Sequence, residues 1–163
     1  MAYKGAKQGW CRVLNADKFI SQVQESKTVM KSTRINEGHL EIEYKSSLEL
    51  ISFRYCDMNK HVKKWCCEPF AIRYLKPTTG RIHRYFVDLF IEFQNGQKFL
   101  VEIKPYSETV EPKKPSKKTQ KAILNYQKAL QTFAVNSAKW EACRQFCSEK
   151  GLKFIILTER ELK

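Results

Sequence analysis

The chain has 163 residues, 42% of them hydrophobic, which suits one domain with a real core. Its apolar runs are short, as in FIIL at Phe154 to Leu157, and MAYKGAKQGW at the start carries no apolar segment, so neither a span of about 20 residues nor a signal peptide is expected, and a soluble, intracellular, non-secreted protein is expected instead. A net charge of +13 points to a polyanionic partner, above all nucleic acid, and no basic amphipathic helix with an aromatic face supports a membrane surface instead.

Residues 1–40 are basic and poorly periodic, and are expected to form an arm or irregular subdomain before a main domain over 41–163. Ser46 opens a predicted helix, with Leu48, Ile51, Tyr55, Met58 and Val62 as its apolar stripe. Ser46 and Glu49 have the S-x-x-E spacing of a capping box. WCCEPFAIRY, from Trp65 to Tyr74, reads as extended, and Pro77 and Gly80 mark a loop. A hairpin follows, from His83 to Phe93 and from Lys98 to Lys104. PYSETVEPKKPSKKTQ, residues 105–120, reads as a loop. A helix from about Lys117, with Ile123, Tyr126, Leu130 and Phe133 inward, is predicted next. A second helix, capped by Ser137 and ended by Gly151, leads into the buried strand KFIIL. This order predicts a mixed α/β layer fold.

Six cysteines (Cys11, Cys56, Cys66, Cys67, Cys143 and Cys147) form no C-x-x-C, and His39, His61 and His83 are scattered. The spacing argues against disulfides in this compartment and against structural zinc. Cys143 and Cys147, at helical spacing beside Trp140, read as core.

The hairpin is the informative stretch. RYFVDLFIEFQNGQKFLVEIKP carries Asp88, Glu102 and Lys104 inside apolar runs, where a charge is costly unless paired or metal-bound. If Asn95 and Gly96 form the whole loop, Asp88 and Glu102 point to opposite faces. If the loop is Gln94-Asn95-Gly96, with Gly96 left-handed, Phe93 pairs with Gln97 and Asp88 falls opposite Glu102. The second register also keeps the apolar faces together, and puts the two β-carbons about 4.5–5.5 Å apart. On the first strand the odd positions, His83 to Phe93, form the apolar face.

Two carboxylates that close repel unless a cation lies between them. Mg²⁺ favours one or two carboxylates with water and phosphate oxygens, so Asp88, Glu102 and the Ile103 carbonyl are candidate ligands, with Lys104 beside them. Lys104 could position or deprotonate an attacking water, or stabilise transition-state charge. The competing reading is a solvated sheet face with a surface ion pair.

Asp88…Glu102-x-Lys104 resembles the core motif of the PD-(D/E)xK nuclease superfamily. SSLELISF, VKKWCCEPFAIRY, GRIHRYFVDLFIEF, FLVEIKP and KWEACRQFCSEKGLKFIILTE follow the order of TnsA-type transposon endonucleases, and are more similar still to head completion nucleases of T-even-like phages. The resemblance spans residues 44–160. It implies a restriction-endonuclease-like mixed β-sheet flanked by helices and a Mg²⁺-dependent (or Mn²⁺-dependent) DNA endonuclease. Phage portal or head components become expected partners, and the virion or host cytoplasm the location. It also implies a helix acid, for which Glu49 stands in place, with Glu68 as a lesser candidate. Val87 occupies the position of the superfamily's Pro.

Arg81, Arg84, Lys113, Lys114, Lys117, Lys118 and Lys121 are candidate DNA contacts, and the lysines read equally as a solvated loop. One site cuts one strand, so double-strand cleavage requires a homodimer or successive events. A DNA-binding virion protein without catalysis and a transposition endonuclease are the alternatives. Retention of Lys104 favours the enzyme.

Overall fold

The computed structural model describes residues 7–20 and 33–162. The parts of the expected basic arm at 1–6 and 21–32 lie outside the described residues. Its remainder forms regular structure: β1 (Gly9–Arg12) and β2 (Thr33–Asn36) pair antiparallel with β3 (His39–Tyr44), in the order β1-β3-β2. Glu37 and Gly38, with φ of 48° and 78°, make the tight turn between β2 and β3. The boundary expected at residue 40 falls inside β3.

Helix α1 (Ser47–Met58) begins at Ser46, whose hydroxyl accepts the Glu49 N–H at 3.1 Å. Of the expected stripe Leu48 faces inward, joined by Ser52, Phe53 and Cys56. Ile51, Tyr55 and Met58 are exposed, and Val62 is buried in the next strand. The reason is placement. α1 packs on β4 (Val62–Cys67) and β3, while Ile51 and Tyr55 border an open apolar cleft of about 350 Å³ with Phe93, Phe99 and Leu157. At its C-terminal end the buried Asp57 carboxylate accepts the N–H groups of Leu14, at 2.8 Å, and Asn15, at 2.9 Å. That pair ties the N-terminal segment to the helix.

The expected extended run from Trp65 to Tyr74 is two strands, β4 and β5 (Ala71–Lys76). The expected single strand from His83 to Phe93 is likewise two, β6 (Arg81–Phe86) and β7 (Leu89–Phe93). β4 pairs antiparallel with β7, and β5 with β6, so the four make one long bent ribbon. Cys67 lies opposite Leu89 and Ala71 opposite Phe86, so residues 68 to 70 face only residues 87 and 88. This extra residue is a bulge, and Glu68 within it has φ of 45°. The chain bends there because Pro69 offers no N–H and Glu68 is left-handed.

β8 (Lys98–Ile103) pairs antiparallel with β7, and β9 (Lys153–Leu157) runs parallel to β8. The sheet order β4-β7-β8-β9 is mixed, as expected. Between β8 and β9 lie a short 3₁₀ turn (Tyr106–Glu108) and α2 (Gln120–Lys150). α2 is one helix of 31 residues, not two. Thr119 caps it and Gly151, with φ of 70°, ends it. Ser137 lies mid-helix because no Pro or Gly between 120 and 150 breaks the ladder. Its C-terminal half buries Asn136, Trp140, Cys143 and Cys147 and packs on β5 and β9. Toward the N-terminal end Ile123 is exposed, contrary to expectation, and Tyr126, Leu130 and Phe133 are half-buried.

Asp57→Ala would leave two inward N–H groups without their acceptor. The expected loss is about 2–4 kcal/mol in urea unfolding, whereas an unchanged midpoint would show that this tie is not structural.

Candidate active site

The loop Gln94-Asn95-Gly96 sets the geometry. Gly96 has φ of 83°, Phe93 N–H donates to the Gln97 carbonyl at 2.9 Å, and Glu92 lies opposite Lys98. This is the longer of the two registers considered from the sequence. Continued along the ladder, it places Asp88 opposite Glu102. Asp88 sits just beyond the end of β7, at the bulge. There its Oδ2 accepts the Ile103 N–H at 2.8 Å, and its carbonyl accepts the Glu68 N–H at 2.9 Å.

Glu102 is only 4% exposed. Its Oε2 accepts the Tyr85 hydroxyl, and its Oε1 lies 3.8 Å from Lys104 Nζ. Lys104 also lies 3.9 Å from Glu108. Glu49 extends from the first turn of α1, where its carboxylate accepts the Lys45 N–H at 2.6 Å. The reciprocal bond of a capping box is thus made to Lys45, one residue before the cap. Glu49, Glu68 and Asp88 line one small pocket of about 90 Å³, with Glu43, Lys45, Phe53 and Cys67. Glu68 pairs with Lys45 at 3.6 Å.

Burial sets the electrostatics. It pushes Asp88 well above the ordinary carboxylate range, and the nearby charges of Glu102 and Glu49 push the same way, against the Ile103 N–H and Lys104. Glu102 is also raised by burial, against the Tyr85 hydroxyl and the Lys104 charge. Glu49 is raised by burial as well, against Lys45. Asp88, raised by the charges of both Glu102 and Glu49, is the point where a cation would relieve the most repulsion.

Sequence reasoning missed Tyr85, Lys139 and Trp140. Tyr85 is buried, as its place on the apolar face predicts, but its hydroxyl reaches Glu102 only because the chain bends between β6 and β7. Lys139 Nζ lies 5.6 Å from the Tyr85 ring centroid, and burial lowers its pKa against the pull of Glu102. The buried Trp140 N–H has no hydrogen bond of full geometry, yet lies close enough to Glu102 to favour its ionised form. No spacing signal linked these α2 residues to Glu102. Of the expected DNA contacts, Arg81 and Arg84 lie exposed on β6. Lys113, Lys114, Lys117, Lys118 and Lys121 are exposed on the segment before α2 and its first turn, and none lines the acidic pocket.

A family model described as TnsA-like endonuclease N terminal matches residues 59–159. The chain belongs to this family. The head completion nuclease of Enterobacteria phage T4 is 36% identical to it over 122 residues, covering 75% of this chain and 81% of that relative. Asp88, Glu102 and Lys104 of this TnsA-like chain lie inside the matched region, and Glu49 lies before it.

TnsA-like and related nucleases generally use divalent metals. Among the described residues no three His, Cys, Asp or Glu side chains form a ready ligand cage. The donor set suits a hard ion of another kind. Mg²⁺ is commonly held by one or two carboxylates, with water and phosphate completing its shell. Glu102, buried, and Asp88, half-buried at the pocket, both raised, fit that requirement.

Both acids have folded-state values above their unfolded ones, so in the metal-free protein their contribution to stability is fully present below the ordinary carboxylate range. It is lost as pH rises through the raised values. Asp88→Asn should therefore stabilise the metal-free protein at pH 7 by on the order of 1 kcal/mol and flatten the pH dependence. Urea unfolding in EDTA at pH 5 and pH 7 measures both, and a destabilised variant at pH 7 would contradict the assignment.

Proposed function

We propose that the chain is a divalent-metal-dependent DNA endonuclease of a tailed phage, acting in head completion or on DNA ends. The observation that carries this is the opposition of Asp88 and Glu102 across the hairpin, with Lys104 two residues further on. The nuclease family and the phage relative support the same reading.

Asp88 and Glu102 would hold the ion, with the Ile103 carbonyl and Glu49 as further donors. When bound, the ion supplies charge neutralisation and Lewis acidity toward a phosphoryl oxygen. The residues do the rest. The Ile103 N–H fixes one edge of the Asp88 carboxylate, and the Tyr85 hydroxyl fixes one oxygen of Glu102. Each acid thus presents a defined second oxygen. Lys104, 30% exposed and beside Glu102, reaches toward solvent, where it can orient an attacking water or face the charge that develops on the phosphate. Burial of Glu102 limits the screening of its charge by water. The exposed basic residues Arg81, Arg84 and the lysines from 113 to 121 would supply phosphate contacts that are blind to sequence.

Plasmid nicking with Mg²⁺ or Mn²⁺ tests the proposal. The native chain should cut, EDTA should stop it, and Asp88→Ala or Lys104→Ala should each reduce the rate by about 10²-fold or more. If none of the proteins cuts but all bind DNA alike, the chain is a DNA-binding virion protein and the catalytic assignment falls.

A further inference from the structure

The β5–β6 ribbon has two unlike faces. Its inner face buries Ile72, Tyr74 and Tyr85 toward α2. The outer face, read from the register, carries Arg73 opposite Arg84 and Leu75 opposite Ile82, with Phe86 beside Arg84. Leu75 is 58% exposed, Ile82 55% and Phe86 39%. A one-sided antiparallel sheet normally turns polar residues to water, so three large apolar side chains here are out of pattern.

The arginines are out of pattern too. Like charges directly opposed across a ribbon destabilise it. From residue 69 to residue 87 there is no Asp or Glu, while Arg73, Lys76, Arg81 and Arg84 lie in that stretch. Among the described residues neither Arg73 nor Arg84 has an ion-pair partner. Glu149 borders the same cleft as Arg73 without pairing. A polyanion lying on this face would supply counter-charge to both arginines.

We infer that the outer face of this ribbon is a duplex-DNA contact, which inserts into a groove beside the cleavage site. This rests on the DNA reading above and deepens it, adding Arg73, Leu75, Ile82 and Phe86 to the interface. A two-stranded ribbon is one of the elements that a DNA major groove accommodates. Arg73 and Arg84 supply the paired cations for phosphates or base edges, and Leu75 and Ile82 form an apolar tip against sugars and bases. The position is apt. Arg84 and Phe86 flank Tyr85, whose hydroxyl holds Glu102, so the element that grips DNA also orients a candidate metal ligand.

Fluorescence anisotropy in EDTA, where nothing is cut, measures this over a range of salt with duplex and single-stranded DNA of equal length. Arg73→Ala with Arg84→Ala should weaken duplex binding about tenfold or more and lower the salt slope by about two. Lys60→Ala with Lys64→Ala removes the same charge elsewhere and should weaken binding no more than roughly twofold. Leu75→Ser with Ile82→Ser should weaken duplex binding more than single-strand binding. If the arginine pair variant binds duplex like the native chain, or the lysine control loses as much, the inference is overturned. The nicking assay separates the two claims. Cutting with a dispensable ribbon sinks the ribbon alone, and ribbon-dependent binding without cutting sinks the nuclease alone.

Discussion

A hydrogen bond from the Ile103 N–H to Asp88 Oδ2, 2.8 Å long, joins the two strands where their regular pairing ends. Beyond Leu89 the β7 backbone leaves the ladder at the bulge, so the edge of β8 loses its main-chain partner. The Asp88 side chain takes that place. It satisfies a buried donor, and the same bond fixes the carboxylate opposite Glu102. The bend that makes this possible also folds the β5–β6 ribbon back, so that Tyr85 reaches Glu102. Tie, bulge and ribbon are therefore one construction, and the α1 acid Glu49 completes its rim.

The construction is costly to the empty protein. Two acids, Glu102 buried and Asp88 half-buried, are set together in a chain of net charge +13, with Lys104 shared between Glu102 and Glu108 and Lys139 near Glu102. Distant surface cations do little for a buried carboxylate, because solvent screens them. The surplus positive charge is instead spread over exposed residues: Arg81 and Arg84 on β6, and the lysines from 113 to 121. Negative charge gathered inside and positive charge outside suit a polyanion that lies on the surface and brings one phosphate to the acids.

The register was legible because it rests on local rules. A glycine at the left-handed position sets the loop, and parity along each strand sets the faces, so Asp88, Glu102 and Lys104 could be brought together by counting. Counting put Tyr85 on the buried face, where it lies, but did not bring it to Glu102, because the bend opposite the bulge at residues 68 to 70 is announced by no local pattern. The stripe of α1 failed beyond Leu48 for a different reason. Periodicity finds an apolar face but not what covers it, and here the sheet leaves Ile51 and Tyr55 at an open cleft while Ser52 and Cys56 are buried. On α2, Ser137 has a capping side chain, but a cap needs a break, and the backbone supplies none. Lys139 and Trp140 approach Glu102 only through tertiary packing, which one sequence does not reveal.

The account stands or falls on whether the two opposed acids hold a divalent ion. Electron paramagnetic resonance of Mn²⁺, titrated into the metal-free native chain and into Glu102→Gln, measures this without any substrate. The account predicts a saturable site in the native chain, displaced by Mg²⁺ and lost or greatly weakened in the variant. Equal Mn²⁺ binding by the two proteins, or none by the native chain, would contradict it.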